Sequence, residues 1–201
     1  MRSLGAVKTY YDRRAQEYDE WYRGTGRFAD RDRPGWNEEL DALRLALDTL
    51  AAARTLDVAC GTGFLTRHLL GEVVGIDQSE AMLEEARRQA PHATFVRGDA
   101  LSLPFEDAAF ERVFTAHFYG HLEPAERDRF LDEARRVASE LVVVDSALRP
   151  EVEPEEHQER ELNDGTRWEV YKRYFAPGPL ARELGGGETL FAGRWFVAVR
   201  S

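Results

Sequence analysis

The chain has 201 residues, 43% of them hydrophobic and set in short runs broken by charge, which fits one globular domain. No apolar run approaches the roughly 20 residues of a membrane helix, and Met1-Arg2-Ser3-Leu4-Gly5 has no apolar signal core, so a cytoplasmic protein with no membrane partner is expected. A net charge of −10 repels phosphate backbones and argues against nucleic acid as a partner, while the single cysteine, Cys60, leaves no internal disulfide or cysteine metal cluster, and no metal is expected.

In chain order, Tyr11, Ala15, Tyr18 and Tyr22 fall at helical spacing and predict a helix, which Gly24-Thr25-Gly26 breaks; Arg33-Pro34-Gly35 makes a second break. Leu40, Leu43, Leu47 and Leu50 mark an amphipathic helix. A strand over 55–59 runs into the loop Cys60-Gly61-Thr62-Gly63, and a helix is expected to follow through Leu65, Leu69 and Leu70. The second strand covers 73–76 and ends at Asp77, and a helix over 79–89 opens with acid and hydroxyl groups suited to its free amides. Third, fourth and fifth strands cover 93–96, 110–115 and 141–144, with a charged helix between the last two. The acidic, proline-containing stretch 150–160, and Trp168, Tyr171, Tyr174 and Phe175 after it, carry no pattern that assigns a structure. Residues 189–191 and 195–199 read as two strands joined by Ala192-Gly193-Arg194. The expected fold is therefore α/β: a seven-stranded, mostly parallel sheet with helices on both faces and a C-terminal antiparallel hairpin. We read 1–201 as one domain, with 1–36 a lid or substrate segment, 37–147 the cofactor-binding core, and 148–201 the acceptor side and terminal hairpin.

The chemistry sits in Leu56-Asp57-Val58-Ala59-Cys60-Gly61-Thr62-Gly63. A strand that ends in a glycine-rich turn lets a ligand approach the backbone, and Gly61 and Gly63 give that clearance. Three acids narrow the choice of ligand. Asp57 precedes the glycines, where a carboxylate repels a pyrophosphate and attracts an ammonium. Asp77 ends the second strand, where a carboxylate accepts from both ribose hydroxyls. Asp99, followed by Ala100-Leu101, ends the third and suits an exocyclic amine beside backbone amides, the pattern adenine needs. Each acid alone also reads as a helix cap or turn former. Together, at three consecutive strand ends, they describe an ammonium, a ribose and an adenine: S-adenosylmethionine (SAM), with S-adenosylhomocysteine (SAH) as product.

The run from Asp57 to Gly63 resembles motif I of the class I SAM-dependent methyltransferases, and the chain resembles their broad type 11 group of quinone-biosynthesis and small-molecule enzymes. The resemblance implies a Rossmann-like sheet. It also implies that Asp57 and the backbone of Ala59, Cys60, Gly61 and Gly63 hold the methionine part, and that Asp77 holds the ribose. Gln78 and Met82 would flank the adenosine, Asp99 with Ala100 and Leu101 would read adenine, and His117 would border the cofactor. Ala59 departs from the family's first glycine, and Cys60 reads as a small residue that positions backbone.

A nicotinamide-dependent oxidoreductase is the rival reading, but its fingerprint needs a third small residue where Thr66 stands, and it leaves Asp57 and Asp99 without a task. No Gly-Lys-Ser/Thr follows the glycines, which excludes a P-loop. A non-catalytic SAM-binding protein remains open from sequence. Methyl transfer is an in-line displacement that needs alignment and dryness, and a hydroxyl or carbon acceptor also needs a base. His117 and His121 are the base candidates, with packing or backbone hydrogen bonding as their alternative duty. The segment lacks the Asn/Asp-Pro-Pro-Tyr run used on nucleic-acid bases. By the same resemblance Tyr11 and Tyr18 form a lid over the methionine part, or else a helix packed on the sheet, and Trp168 and Tyr171 lie where the family completes its acceptor pocket, or else cover the core; with Tyr22 and Tyr119 they are read as lining for a small, partly apolar acceptor. Arg27, Arg31 and Arg33 offer a clamp for an anionic acceptor, or solvated surface. Monomer and homodimer stay open.

Overall fold

A computed structural model describes residues 4–201, with side chains from residue 9 onward. Seven strands form one sheet: β1 (Thr55–Val58), β2 (Val73–Asp77), β3 (Thr94–Arg97), β4 (Arg112–Ala116), β5 (Glu140–Ser146), β8 (Glu188–Ala192) and β9 (Phe196–Arg200). Their order is β3-β2-β1-β4-β5-β9-β8. The first five pair in parallel, and β9 pairs antiparallel with β5 and β8. The expected sheet and terminal hairpin are both present.

Strict alternation explains why the sheet is covered on both faces. Leu141 and Val143 of β5 and Val197 and Val199 of β9 join one apolar cluster with α5 (Pro124–Val137) and α6 (Pro177–Glu183). Their neighbours Val142, Val144, Phe196 and Ala198 join the other, under α3 (Trp36–Leu47). Leu40, Leu43 and Leu47 are the buried stripe of α3, and Leu50 follows just beyond its end. The strand order reverses between β1 and β4, so the loops after Val58 and Ala116 leave a crevice at the carboxyl edge of the sheet.

Two local expectations are corrected, and the stretch that sequence left unassigned takes a defined structure. The helix after the glycine loop is only a 3-10 turn, Thr66–His68. Residues 64–72 must return across the whole sheet, and the longer rise of a 3-10 turn covers more of that distance per residue. Leu65 and Leu69 are buried there but Leu70 is exposed. The N-terminal helix is broken into α1 (Leu4–Arg14), a 3-10 turn (Ala15–Glu17) and α2 (Glu20–Arg23). Gly24 then ends α2 at φ +63°, as the break signal predicted. The unassigned stretch forms a separate two-stranded hairpin of β6 (Glu155–Glu161) and β7 (Arg167–Arg173). Cross-strand ion pairs, Arg173–Glu155 at 3.5 Å and Arg167–Glu159 at 3.1 Å, hold its outer parts, so no apolar alternation marks it.

Candidate active site

The crevice holds a cavity of about 120 Å³. Its walls come from the ends of β1, β2, β3 and β4 and from the N-terminal segment, and they include Tyr11, Tyr18, Asp77, Asp99, His117 and His121. Ala59, Gly61, Gln78, Met82, Ala100 and Leu101 also line it. A smaller cavity behind the glycine loop is lined by Asp57, Cys60 and Tyr22, with Tyr18 and Ala59 shared between the two.

The loop geometry follows from its residues. Gly61 and Gly63 have φ of +55° and +76°, and a Cβ on Gly63 would stand 3.1 Å from Ala86 Cα of α4 (Glu80–Gln89). Ala59 also sits at positive φ, +56°, a strained choice where glycine is at ease. The Cys60 thiol is pushed far up by burial and by the charges of Asp57 and Asp77, so it stays protonated.

The acids differ in how they are held. Asp57 is buried, and its Oδ2 accepts from the Thr66 hydroxyl at 2.6 Å while its Oδ1 has no partner. Burial raises its pKa to about 7, with the Asp77 charge adding to the effect and the Thr66 hydrogen bond opposing it. Asp77 accepts the Gly61 amide at 3.0 Å and the Ser79 amide at 2.9 Å, which ties loop to strand, and burial raises it to about 6. Its two oxygens keep lone pairs for further donors. Asp99 is exposed at the cavity edge and accepts the Leu101 amide at 2.9 Å.

The N-terminal segment is tied over this loop by two more acids. The Ser79 hydroxyl donates to Asp12 at 2.6 Å while capping α4 through the Met82 amide at 3.2 Å. The Thr62 hydroxyl donates to Asp19 at 2.6 Å, and Gln89 donates to the same carboxylate at 2.7 Å. Tyr11 and Tyr18 are thereby held at the cavity, their hydroxyls pushed up by burial, that of Tyr18 to about 12.

The two histidines follow β4. His117 sits at φ +54°, and its ring meets Trp21, Tyr22 and Phe196 at 4.8, 5.6 and 5.7 Å. Neither ring nitrogen has a hydrogen-bond partner, and burial lowers its pKa to about 3. His121 Nδ1 lies 2.7 Å from the Tyr171 carbonyl, so Nδ1 carries the proton and donates it. Burial, then Lys172 and Arg160, hold His121 well below its ordinary value. Both imidazoles are neutral near pH 7.

Four residues read as acceptor lining lie elsewhere. Tyr22 stacks on Phe64, ring centroids 3.9 Å apart, and lines only the smaller cavity. Tyr119 is fully buried beneath the crevice, where it donates to Glu183 at 2.8 Å. Tyr171 is buried with its hydroxyl 3.3 Å from Arg127. Trp168 packs 5.8 Å from Tyr10 and donates to Thr166. Among the three arginines read as a clamp, Arg27 is engaged by Glu161 and the Leu162 carbonyl at 2.7 Å each, and Arg33 by the Trp21 carbonyl at 2.8 Å. Arg31 lies 4.7 Å over the Phe28 ring and has no carboxylate partner among the described residues. Sequence reasoning missed the lining residues Ile76, Gly98, Ala116, Phe118, Leu122 and Glu126. Only Glu126 had a signal: its side chain accepts the Glu123 amide at 2.8 Å, three residues back, a capping box at the start of α5.

Residues 55–140 match the model of a family described as "Methyltransferase domain". The demethylmenaquinone methyltransferase of Thermotoga maritima is 34% identical over 134 residues, 63% of this chain and 54% of that protein. The demethylmenaquinone methyltransferase of Thermus thermophilus is 41% identical over 105 residues, 48% of this chain and 46% of that protein. This chain thus spans about half the length of these curated relatives. The solved DhpI–SAH complex superposes with a TM-score of 0.71 at 25% identity, over 99% of this chain and 97% of that one.

Proposed function

We propose that the chain is a class I SAM-dependent methyltransferase that binds SAM and moves its methyl group to a small-molecule acceptor, a reading supported by the methyltransferase-domain match over residues 55–140 and by the relatives and the solved complex above. One observation carries the donor site: three acids end three consecutive strands around the crevice, and the first of them keeps an unpartnered buried oxygen. An ammonium satisfies that oxygen where a phosphate would be repelled. When bound, SAM supplies a methyl made electrophilic by its sulfonium.

The chain's own residues bind, orient and keep out water. Asp57 takes the ammonium, and the backbone from Ala59 to Gly63 takes the rest of the methionine part. Asp77 takes the ribose hydroxyls with its remaining lone pairs. Met82 and Gln78 flank the adenosine, and Asp99 with the Ala100 and Leu101 backbone reads the adenine. Tyr11 and Tyr18 cover the reacting end as a lid belonging to segment 1–36, and the β6–β7 hairpin within 148–201 closes the acceptor side. No helix of the described residues is long and apolar enough to cross a membrane.

Calorimetric titration with SAH tests this reading. Micromolar binding is expected, with NAD and NADP silent. Asp77→Ala should weaken it at least about tenfold, the loss of roughly one charge-assisted hydrogen bond. A protein that ignores SAH but binds a nicotinamide would refute the proposal.

A further inference from the structure

Helix α1 and the β6–β7 hairpin pack on the crevice and carry cations just behind its lining, two of which the fold leaves without a carboxylate. Arg14, at the end of α1, is only 7% exposed. Its Nη1 donates to the Tyr10 hydroxyl at 2.9 Å and its guanidinium lies 4.6 Å over the Tyr18 ring, yet no carboxylate among the described residues pairs with it. Arg160 on β6 donates to the Gln158 amide oxygen at 3.1 Å and likewise pairs with no carboxylate among them. In the hairpin register Glu156 faces Lys172 and Arg160 faces Trp168, so Arg160, Glu156 and Lys172 share one face of the ribbon. Lys172 is buried on Asp145 at 2.6 Å. Exposed Arg31 adds a fourth cation. Asp145 matches Lys172, while Arg14 and Arg160 have no paired carboxylate among the described residues, and the carboxylates that line the cavity, Asp77, Asp99 and Glu126, are held by backbone amides.

Burial depresses His117 and His121 most, and the charges of Lys172, Arg160 and Arg14 add to it; burial likewise leads for Lys172 and Arg31, with Arg160 adding to it. Like charges gathered at a buried site cost free energy unless a counter-charge arrives. His117 is the polar group aimed at that space. It lines the cavity, is 7% exposed, has two unpartnered ring nitrogens and stands 3.9 Å from Asp145. As a neutral imidazole it has one N–H to give to an oxyanion.

The same arrangement limits the acceptor chemistry. An alcohol or acidic carbon must lose a proton, for which imidazoles this far depressed are weak bases, and a protonated amine is repelled by the same cations. An acid's oxyanion arrives with its electron pair free and needs no base. Resting on the methyl-donor reading above, we propose that the acceptor is a small acid (a phosphate, phosphonate or carboxylate) whose oxyanion is held by Arg14, Arg160 and Lys172 beside His117.

Inorganic phosphate, methylphosphonate and acetate are titrated into the whole protein by calorimetry, with and without SAH, and into Arg160→Gln and Arg31→Gln. At least one anion binds the wild type. Arg160→Gln weakens it about tenfold, equal to about 1.4 kcal/mol, with SAH affinity unchanged. Arg160→Lys restores part of the loss, and Arg31→Gln has a smaller effect. The preferred anion identifies the acid. SAH binding with no response to any of the three anions overturns the anion site, and so does anion binding that Arg160→Gln leaves untouched. Anion binding without SAH binding instead overturns the methyl-donor reading and leaves the anion site standing.

Discussion

Replacing Asp57 by asparagine should stabilise the protein while weakening its hold on SAH. In the folded chain Asp57 titrates near pH 7 because it is buried with one oxygen unpartnered; unfolded, an aspartate titrates near 3.9. A raised carboxyl means the folded state binds the proton more tightly than the unfolded one. The penalty is therefore absent below about pH 4, grows as pH rises toward 7, and is constant above. Three units at 1.36 kcal/mol each make it about 4 kcal/mol at pH 8. Asparagine keeps an oxygen for the Thr66 hydroxyl and removes the charge, though its amide N–H groups stay unpaired as the carboxyl O–H did.

The net gain should be about 2–4 kcal/mol at pH 8 and near zero at pH 4. For a chain of this size that is a rise in Tm of roughly 5–15 °C at the higher pH. Thermal melts of both proteins across pH 4–8 measure it. SAH titration of the same samples should show affinity falling at least about tenfold, since the ammonium loses its counter-charge. Wild-type binding near pH 7 should also release about half a proton, visible as a dependence of binding heat on buffer ionisation enthalpy. A melting point that falls, or rises equally at both pH values, would show that Asp57 is paired and the ammonium argument mistaken.

Three further outcomes follow from the same geometry. Ala59→Gly removes a left-handed strain of roughly 1–2 kcal/mol against a chain-entropy cost of about 0.5–1 kcal/mol, so melts should show a gain of up to about 1.5 kcal/mol with SAH binding kept. Asp19→Asn weakens the acceptor shared by Thr62, Gln89 and Arg23, at 2.6, 2.7 and 3.2 Å, so limited proteolysis should cut faster within residues 15–30 and SAH should slow it less. Lys172→Met strands the buried Asp145 and should cost about 3–5 kcal/mol, most of it recovered by Asp145→Asn in the same chain; denaturant melts of the cycle read the coupling directly.

The strand periods and loop signals carried the sheet. Val142 and Val144 against Leu141 and Val143, or Phe196 and Ala198 against Val197 and Val199, write both faces into alternating residues. The placement of Asp57, Asp77 and Asp99 around the crevice was equally open to reading, because strand ends fix it and strand ends are local. The acceptor side was not. Tyr119 and Tyr171 follow the right strands, yet each turns into a network with Glu183 and Arg127 that only tertiary packing creates. Arg14, Arg160 and Lys172 lie far apart in sequence, and β6 is so rich in glutamate that it reads as solvated surface. Its pairing partner supplies the arginines that make it a strand.

How the buried charges are divided ties these observations together. Away from the crevice they are matched: Arg112 with Glu140, Arg127 and Arg173 with Glu183. Of five buried side-chain atoms without a partner among the described residues, three belong to Asp57 and His117, and Arg14 close by is buried without a carboxylate. Asp57 is an acid without a cation at one end of the site, and Arg14 with Arg160 are cations without an acid at the other. A fold selected for stability alone would pair or remove such groups, since each costs free energy in the empty protein. Two opposite and uncompensated charges, with a cavity between them, describe a site that takes an ammonium at one end and an anion at the other. A methyl donor facing an acidic acceptor supplies both.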